Sequence, residues 1–232
     1  MSQHLQRDLD ALERRVLAQS SIVEEMIQKS SRALRQLRPE LVAEILEREE
    51  LVDEQEVQIE EACLKILALH QPVAVDLRRV ATILKINNDL ERMADLAVNV
   101  AERAQRLSRH DGFLVPESFD QMAHLTSSMV QDALDAFVKV DVDLAREVCQ
   151  RDDEVDSLNR EVIGEMQDVM RTEPEMVEAA LYLFSASRHV ERIADHATNI
   201  AEDVIYLVDG EIARHKHDLD PLEEPRLKNG EV

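Results

Sequence analysis

LERMADLAVNVAERAQRL at residues 90–107 and VERIADHATNIAEDVIYL at residues 190–207 are one helix written twice. Aligned at an offset of 100, 9 of their 18 positions are identical, and most apolar differences are mild, such as Met93 to Ile193 and Val100 to Ile200. A second match, at an offset of 103, sets Glu49, Val52 and Asp53 against Asp152, Val155 and Asp156, and Pro72 falls in step with Pro174. Self-similarity over this distance marks duplication of a supersecondary unit. The chain therefore divides into two homologous halves.

Helix breakers show what each half contains. Pro39, Pro72, Pro116 and Pro174 each follow a long periodic stretch and open the next, as a residue suited to a first helical turn does. Asp111 and Gly112 mark a central turn, Asp141 reads as an N-cap, and Gly210 ends the last stretch. Six helices follow, over 3–37, 40–69, 73–108, 117–139, 142–171 and 175–209. In the first, Leu5, Leu9, Leu12, Val16, Val23, Met26, Ile27, Leu34 and Leu37 recur at three- and four-residue spacing, the stripe of a helix packed in a bundle. The predicted class is all-α: two homologous three-helix bundles, six long helices related by pseudo-twofold symmetry. Residues 1–110 form the first repeat and 111–210 the second. Residues 211–232 lose the periodicity, gain charge and proline, and read as a mobile C-terminal tail.

Composition narrows the function. Hydrophobic residues make up 44% and charged residues 33%, a globular mixture. The 49 Asp and Glu against 27 Lys and Arg give a net charge of -22, which disfavours nucleic acid and anionic membrane surfaces and favours a cationic partner, a metal ion or a basic protein surface. Cys63 and Cys149, with no C-x-x-C neighbour, read as buried, reduced residues of a cytoplasmic protein. The start of the chain has no apolar core of a signal peptide, and no run of about 18 apolar residues would span a membrane.

The acids are not scattered. Glu91, Asp95, Asn99 and Glu102 fall within about 80° of one another on a helix, beside the apolar face of Leu90, Ala94, Ala97, Ala101 and Ala104. Glu191, Asp195, Asn199 and Glu202 repeat the arrangement. The second helix of each half carries Glu49, Asp53 and Glu56, or Asp152, Asp156 and Asn159. Like charges at i and i+4 repel by a few tenths of a kcal/mol per pair, and a multivalent cation between two such stripes reverses that sign. Oxygen-only donors suit hard cations. A single D/E-x-x-x-D motif reads as a solvated face neutralised by an arginine, with Arg92, Arg103 and Arg192 near; four of them in two homologous pairs argue for cations. Asn99 and Asn199 fit either helix register or a metal shell. His196 reads as an ordinary, partly exposed histidine. Signatures of catalysis are missing: no E-x-x-H of di-iron bundles, no H-E-x-x-H, no P-loop and no G-x-S-x-G.

QPVAVDLR at 71–78, together with ERMADLAVNVAE and ERIADHATNIAE in two duplicated three-helix units, resembles the PhoU family of bacterial phosphate-uptake regulators over residues 3–209. The resemblance implies a cytoplasmic homodimer or oligomer that controls the phosphate regulon negatively, linking the Pst phosphate ABC transporter to the sensor histidine kinase PhoR. It also implies metal on the E/D-x-x-x-D motifs, iron or zinc in some members and manganese or magnesium in others. Transferred by position, the candidate ligands are Glu49 with Asp53, Glu91 with Asp95, Asp152 with Asp156, and Glu191 with Asp195. The second half reads EPEMVEAAL where the first has QPVAVDLR, so the partner contact of that turn is implied for the first half alone; Arg78 there fits an interaction residue or a surface salt bridge equally. The expected function is a non-enzymatic regulator of phosphate uptake acting by protein contact. Metal storage, or a metal-dependent phosphohydrolase on the same carboxylates, is the competing expectation, and a plain helical adaptor the third.

Overall fold

With four glycines and six prolines in 232 residues, the chain has little to interrupt a helix. A computed structural model describes residues 3–210. It contains α1 (Gln3–Arg35), α2 (Leu41–His70), α3 (Val75–Leu107), α4 (Glu117–Lys139), α5 (Val142–Thr172) and α6 (Val177–Asp209), the last preceded by a single 3₁₀ turn at Pro174–Met176. No strand occurs among the described residues. The tail expected over 211–232 lies outside them.

Local chemistry sets the helix ends. Asp141 caps α5, its Oδ1 accepting from the backbone N–H groups of Asp143 and Leu144 at 3.1 Å each. This satisfies two donors that the first turn leaves unpaired. Just before it, Val140 turns left-handed at φ 54°, and the Asp141 N–H reaches back to Ala136 O at 2.9 Å, closing α4. Gly210, at φ 74°, ends α6 in the same way, donating to Tyr206 O. Three starts differ from the sequence reading, that of α2 by one residue, at Leu41 rather than 40. The third helix begins at Val75 rather than at residue 73, because Gln71 and Ala74 take positive φ values of 45° and 50° and hold Pro72 and Val73 outside it. Pro174 opens a 3₁₀ turn first, so α6 proper starts at Val177.

α1, α2 and α3 pack on one another as one bundle, α4, α5 and α6 as its copy, and the bundles join mainly through α3 against α6, with a lighter contact of α1 against α4. Leu9, Leu12, Met26, Leu34, Ile45, Ile59, Ile83, Ile86, Leu90 and Met93 fill the first core; Phe119, Val148, Leu183 and Ile200 are among those filling the second. The apolar stripes of both repeats merge into one continuous cluster.

The α3–α6 seam runs antiparallel and is rich in polar contacts. Arg78 Nε donates to Leu207 O at 3.3 Å, Lys85 Nζ to Asp203 Oδ1 at 2.7 Å, and Arg103 Nε to Ser185 Oγ at 3.1 Å. Arg78 makes no ion pair among the described residues and instead ties the start of α3 to the end of α6. Met93 and Ile193, equivalent in the repeat, fall at the middle of this register, where the pseudo-twofold axis crosses the seam.

Candidate functional site

The eight carboxylates singled out by the repeat fall into two grooves, one in each bundle. In the first, α2 and α3 run antiparallel, their register pinned where Asn87 Nδ2 donates to Glu56 O at 3.0 Å. Glu49 lies close enough to Asp53 and Asp95 that, after burial, both push its carboxyl above the usual range. Glu91 is raised by burial and then by Asp95, with smaller contributions from Asp53 and Glu56 that partly oppose Arg92. Glu56 is raised by burial and by Glu60 and Asp53. Glu49, Asp53, Glu91 and Asp95 therefore share one acidic groove.

The second groove repeats the first between α5 and α6. Asp195 keeps solvent access, yet its carboxyl is pushed up to about 6 by the surrounding protein and then by Asp152, Glu191 and Asp156. Thr198 Oγ1 donates to Asp152 Oδ1 at 3.2 Å. Glu191 is largely enclosed, at 14% side-chain exposure. Its Oε1 meets Arg188 Nη1 at 2.7 Å, while its buried Oε2 has no hydrogen-bond partner.

Arginines guard both rims. Arg92 lies 3.3 Å from Glu91 and 3.5 Å from Asp95, and Arg188 plays that part for Glu191. Both guanidinium side chains are about half exposed, at 53% and 51%, so solvent can take them over when a cation displaces them. Of the arginines named from sequence, Arg103 instead spans to Ser185 across the seam and touches Glu102 only at 3.5 Å. Among the described residues no three His, Cys, Asp or Glu side chains are already gathered into a group set to hold a metal ion. The grooves supply the right donors, carboxylate oxygens from two helices with one buried oxygen of Glu191 unpartnered, and the fit to a hard cation requires the side chains to turn inward. The ligands in each groove would be Glu49, Asp53, Glu91 and Asp95, or Asp152, Asp156, Glu191 and Asp195.

The thiols stand outside this chemistry. Burial, with Glu202 and Asp152 nearby, pushes Cys149 up to about 11, and burial pushes Cys63 up to about 12. Neither offers a thiolate at neutral pH.

His196 keeps the partial exposure expected of it but makes a specific contact across the seam. It is mostly enclosed, at 17% side-chain exposure, and its Nδ1 lies 2.8 Å from Oδ1 of the buried Asp89, which Asn199 Nδ2 approaches at 3.5 Å. The cluster joins the two repeats. It has no copy across the twofold, where His189 replaces Asp89 and Leu96 replaces His196, so a search for repeated polar pairs passes over it. Asn199 accordingly serves the seam, and Asn99 turns its amide back onto Asp95 O at 2.8 Å. Near the seam's far end, His189 is held below the usual histidine range by burial and by Arg103 and Arg192.

Comparison with known proteins places these features in context. The family model of the PhoU domain matches the chain twice, at residues 6–104 and 119–204. A "Phosphate-specific transport system accessory protein PhoU homolog" of Aquifex aeolicus is 38% identical over 211 residues, covering 91% of this chain and 96% of that protein. The homologue of Pseudomonas aeruginosa carrying the same description is 37% identical over 93% of this chain and 89% of its own length. The crystal structure of PhoU from Pseudomonas aeruginosa superposes with a TM-score of 0.86 at 36% identity, over 89% of this chain and 99% of that one. The phosphate transport system regulatory protein PhoU from Streptococcus pneumoniae superposes at 0.84 with 29% identity, over 90% and 98%.

Proposed function

The chain belongs to the PhoU family, and from that premise we propose that it is a non-enzymatic accessory regulator of a phosphate-specific transport system. It restrains phosphate uptake and the phosphate regulon by direct contact with the phosphate ABC transporter and with a sensor histidine kinase, working as a cytoplasmic homodimer. Metal ions, iron, zinc, manganese or magnesium, bind the carboxylates of the two grooves and hold that acidic surface in shape.

The observation that carries this reading is the pairing of acidic grooves, one per repeat, in a chain whose two repeats both match the PhoU domain. A metal ion is the natural remedy for carboxylates that raise one another's pKa. Exposed apolar side chains around the α2–α3 turn support a role in protein contact: Leu69, Val73, Val75 and Leu77 all face solvent, Val73 at 74% exposure. No helix among the described residues is long and apolar enough to cross a membrane, in keeping with an accessory protein that docks on a membrane complex.

Deleting the gene tests the regulatory half: phosphate-starvation reporters are expected to switch on in phosphate-rich medium, and full repression there rejects the proposal. Capture of native partners, with elemental analysis of the same sample, tests transporter, kinase and metal together. A second reading, a metal-dependent phosphohydrolase, draws on Asp195, whose carboxyl at about 6 suits proton transfer near neutral pH. Metal-loaded protein that turns over phosphoesters or polyphosphate, with turnover lost in Asp95→Ala and Asp195→Ala, would replace the regulator with an enzyme.

A further inference from the structure

The strongest feature outside the acidic grooves is a basic cavity in a chain of net charge -22. It measures about 230 Å³ and lies between the C-terminal half of α1 and the first half of α4, lined by Gln28, Ser31, Arg32, Arg35, His124 and Ser127. These positions recur at three- and four-residue spacing, so each set forms one face of its helix. Arg35 Nη1 meets His124 Nε2 at 2.9 Å while Glu24 faces Asp135, so the two helices run antiparallel, and the small side chains of Ser31 and Ser127 line the same cavity between them. Two serines where a bundle would carry larger residues leave the space. At about 30 Å³ per liquid water, that space holds several waters, or one tetrahedral oxyanion with part of its hydration.

The donors agree in kind. Arg35 also pairs with Asp120, and this contact uses Nη1, leaving a buried Nε without a hydrogen-bond partner. Arg32 is exposed and has no acidic partner among the described residues. Ser31 is 8% exposed and its hydroxyl is not engaged by any other described residue. Ser127 Oγ donates to Ala123 O at 2.8 Å, which leaves its lone pairs, not its proton, toward the cavity. Asp120 borders the cavity itself, paired with Arg35 Nη1 and 3.8 Å from His124 Nε2, and offsets part of their charge. Further along the same seam the sign reverses: Glu24 and Asp135 face each other, and Glu24 is raised by burial and then by that neighbour. Arg32 and Arg35 against the single carboxylate of Asp120 leave one net positive charge at the cavity, with the acids of Glu24 and Asp135 further along the seam.

We propose that this α1–α4 cavity binds a small tetrahedral oxyanion, inorganic phosphate being the probe, through the guanidinium groups of Arg32 and Arg35 and the hydroxyl of Ser31. Arginine forks match the oxygen spacing of such ions. The site joins the two repeats at their lighter contact, so its occupant bridges them. It uses none of the groove carboxylates and stands or falls apart from the metal proposal.

The full chain, stripped of metal by chelation so that no cation can bridge phosphate to the grooves, is titrated with inorganic phosphate by calorimetry at constant ionic strength, with chloride as the balancing ion. Saturable binding near one ion per chain is expected. Arg32→Glu, at an exposed position that leaves the core intact, should weaken it at least tenfold, and Ser127→Leu, which fills the cavity, should abolish it; Arg109→Glu, an exposed arginine away from the cavity, should leave it unchanged. Sulfate binding with comparable strength also supports an oxyanion site. Failure to saturate, binding unchanged in both Arg32→Glu and Ser127→Leu, or equal loss in Arg109→Glu each overturn the proposal. Far-UV circular dichroism confirms that every variant is folded, and a filled cavity that unfolds the chain leaves Arg32→Glu to decide.

Discussion

Lys85 Nζ donates to Asp203 Oδ1 at 2.7 Å, and at the equivalent place across the pseudo-twofold Arg103 Nε donates to Ser185 Oγ at 3.1 Å. Position 85 matches 185 and position 103 matches 203, so the cation has moved from one helix to the other. Asp203 is 2% exposed and Lys85 41%, which makes the carboxylate the enclosed partner. Removing its cation leaves a buried charge one partner short, and a hydrogen bond to a charged group contributes about 1.5–3 kcal/mol. Lys85→Met is therefore expected to lower unfolding free energy by about 2 kcal/mol in denaturant titration, and Lys85→Arg to restore most of it.

Asp195 makes stability depend on pH in a defined direction. Its folded pKa is raised to about 6 from an ordinary 3.8, so between those values the folded chain binds more protons than the unfolded one. Stability then falls as pH rises from about 4 to about 6 and stays lowered above it. Glu49, Glu56 and Glu91, also raised, act with the same sign. Calorimetric melting of Asp195→Asn should show a higher Tm than the natural chain above pH 6 and a flatter profile between pH 4 and 6. An unchanged profile would mean that Asp195 does not feel its neighbours.

Metal should reverse that penalty. Adding a divalent ion to chelator-treated protein is expected to raise Tm, since binding to the folded state alone stabilises it by about 2.7 kcal/mol at a hundredfold excess over Kd. With two equivalent grooves, Asp95→Asn should remove about half of the ions bound at saturation, and Asp95→Asn with Asp195→Asn nearly all of them, read by elemental analysis after gel filtration.

Ala74 carries backbone strain that its side chain gains nothing from. It sits at φ 50°, ψ -120°, exposed, just ahead of α3. Glycine reaches this region without a Cβ clash. Ala74→Gly should stabilise the chain by about 1 kcal/mol, read as a higher midpoint in urea with an unchanged slope.

The six helices and their pairing into two bundles were legible because breakers are few and the duplicated stretch shows its own register. The groove carboxylates were legible for the same reason: an i, i+4 pair on each of two helices, seen twice, must share a face. Helix starts were less so, since nothing at residues 73 and 74 announces the positive φ of Ala74. Contacts between the repeats were not legible. Asp89 with His196, and Arg35 with His124, join residues about a hundred positions apart without repeating across the twofold. Neither periodicity within a helix nor likeness between halves carries a signal for them.

The divergence of the α3–α6 seam has an evolutionary consequence. A half-length ancestor would have assembled by packing this helix on its own copy, an association of identical faces. Neither present-day half, paired with its own copy, would reproduce the contacts of the present seam. Two first halves would set Lys85 against Arg103, like charges in a half-enclosed site, and leave Asp89 facing Leu96. Two second halves would set Ser185 against Asp203 and His189 against His196. Each half now carries groups whose partners lie on the other, so the seam of the fused chain is no longer an association of identical faces.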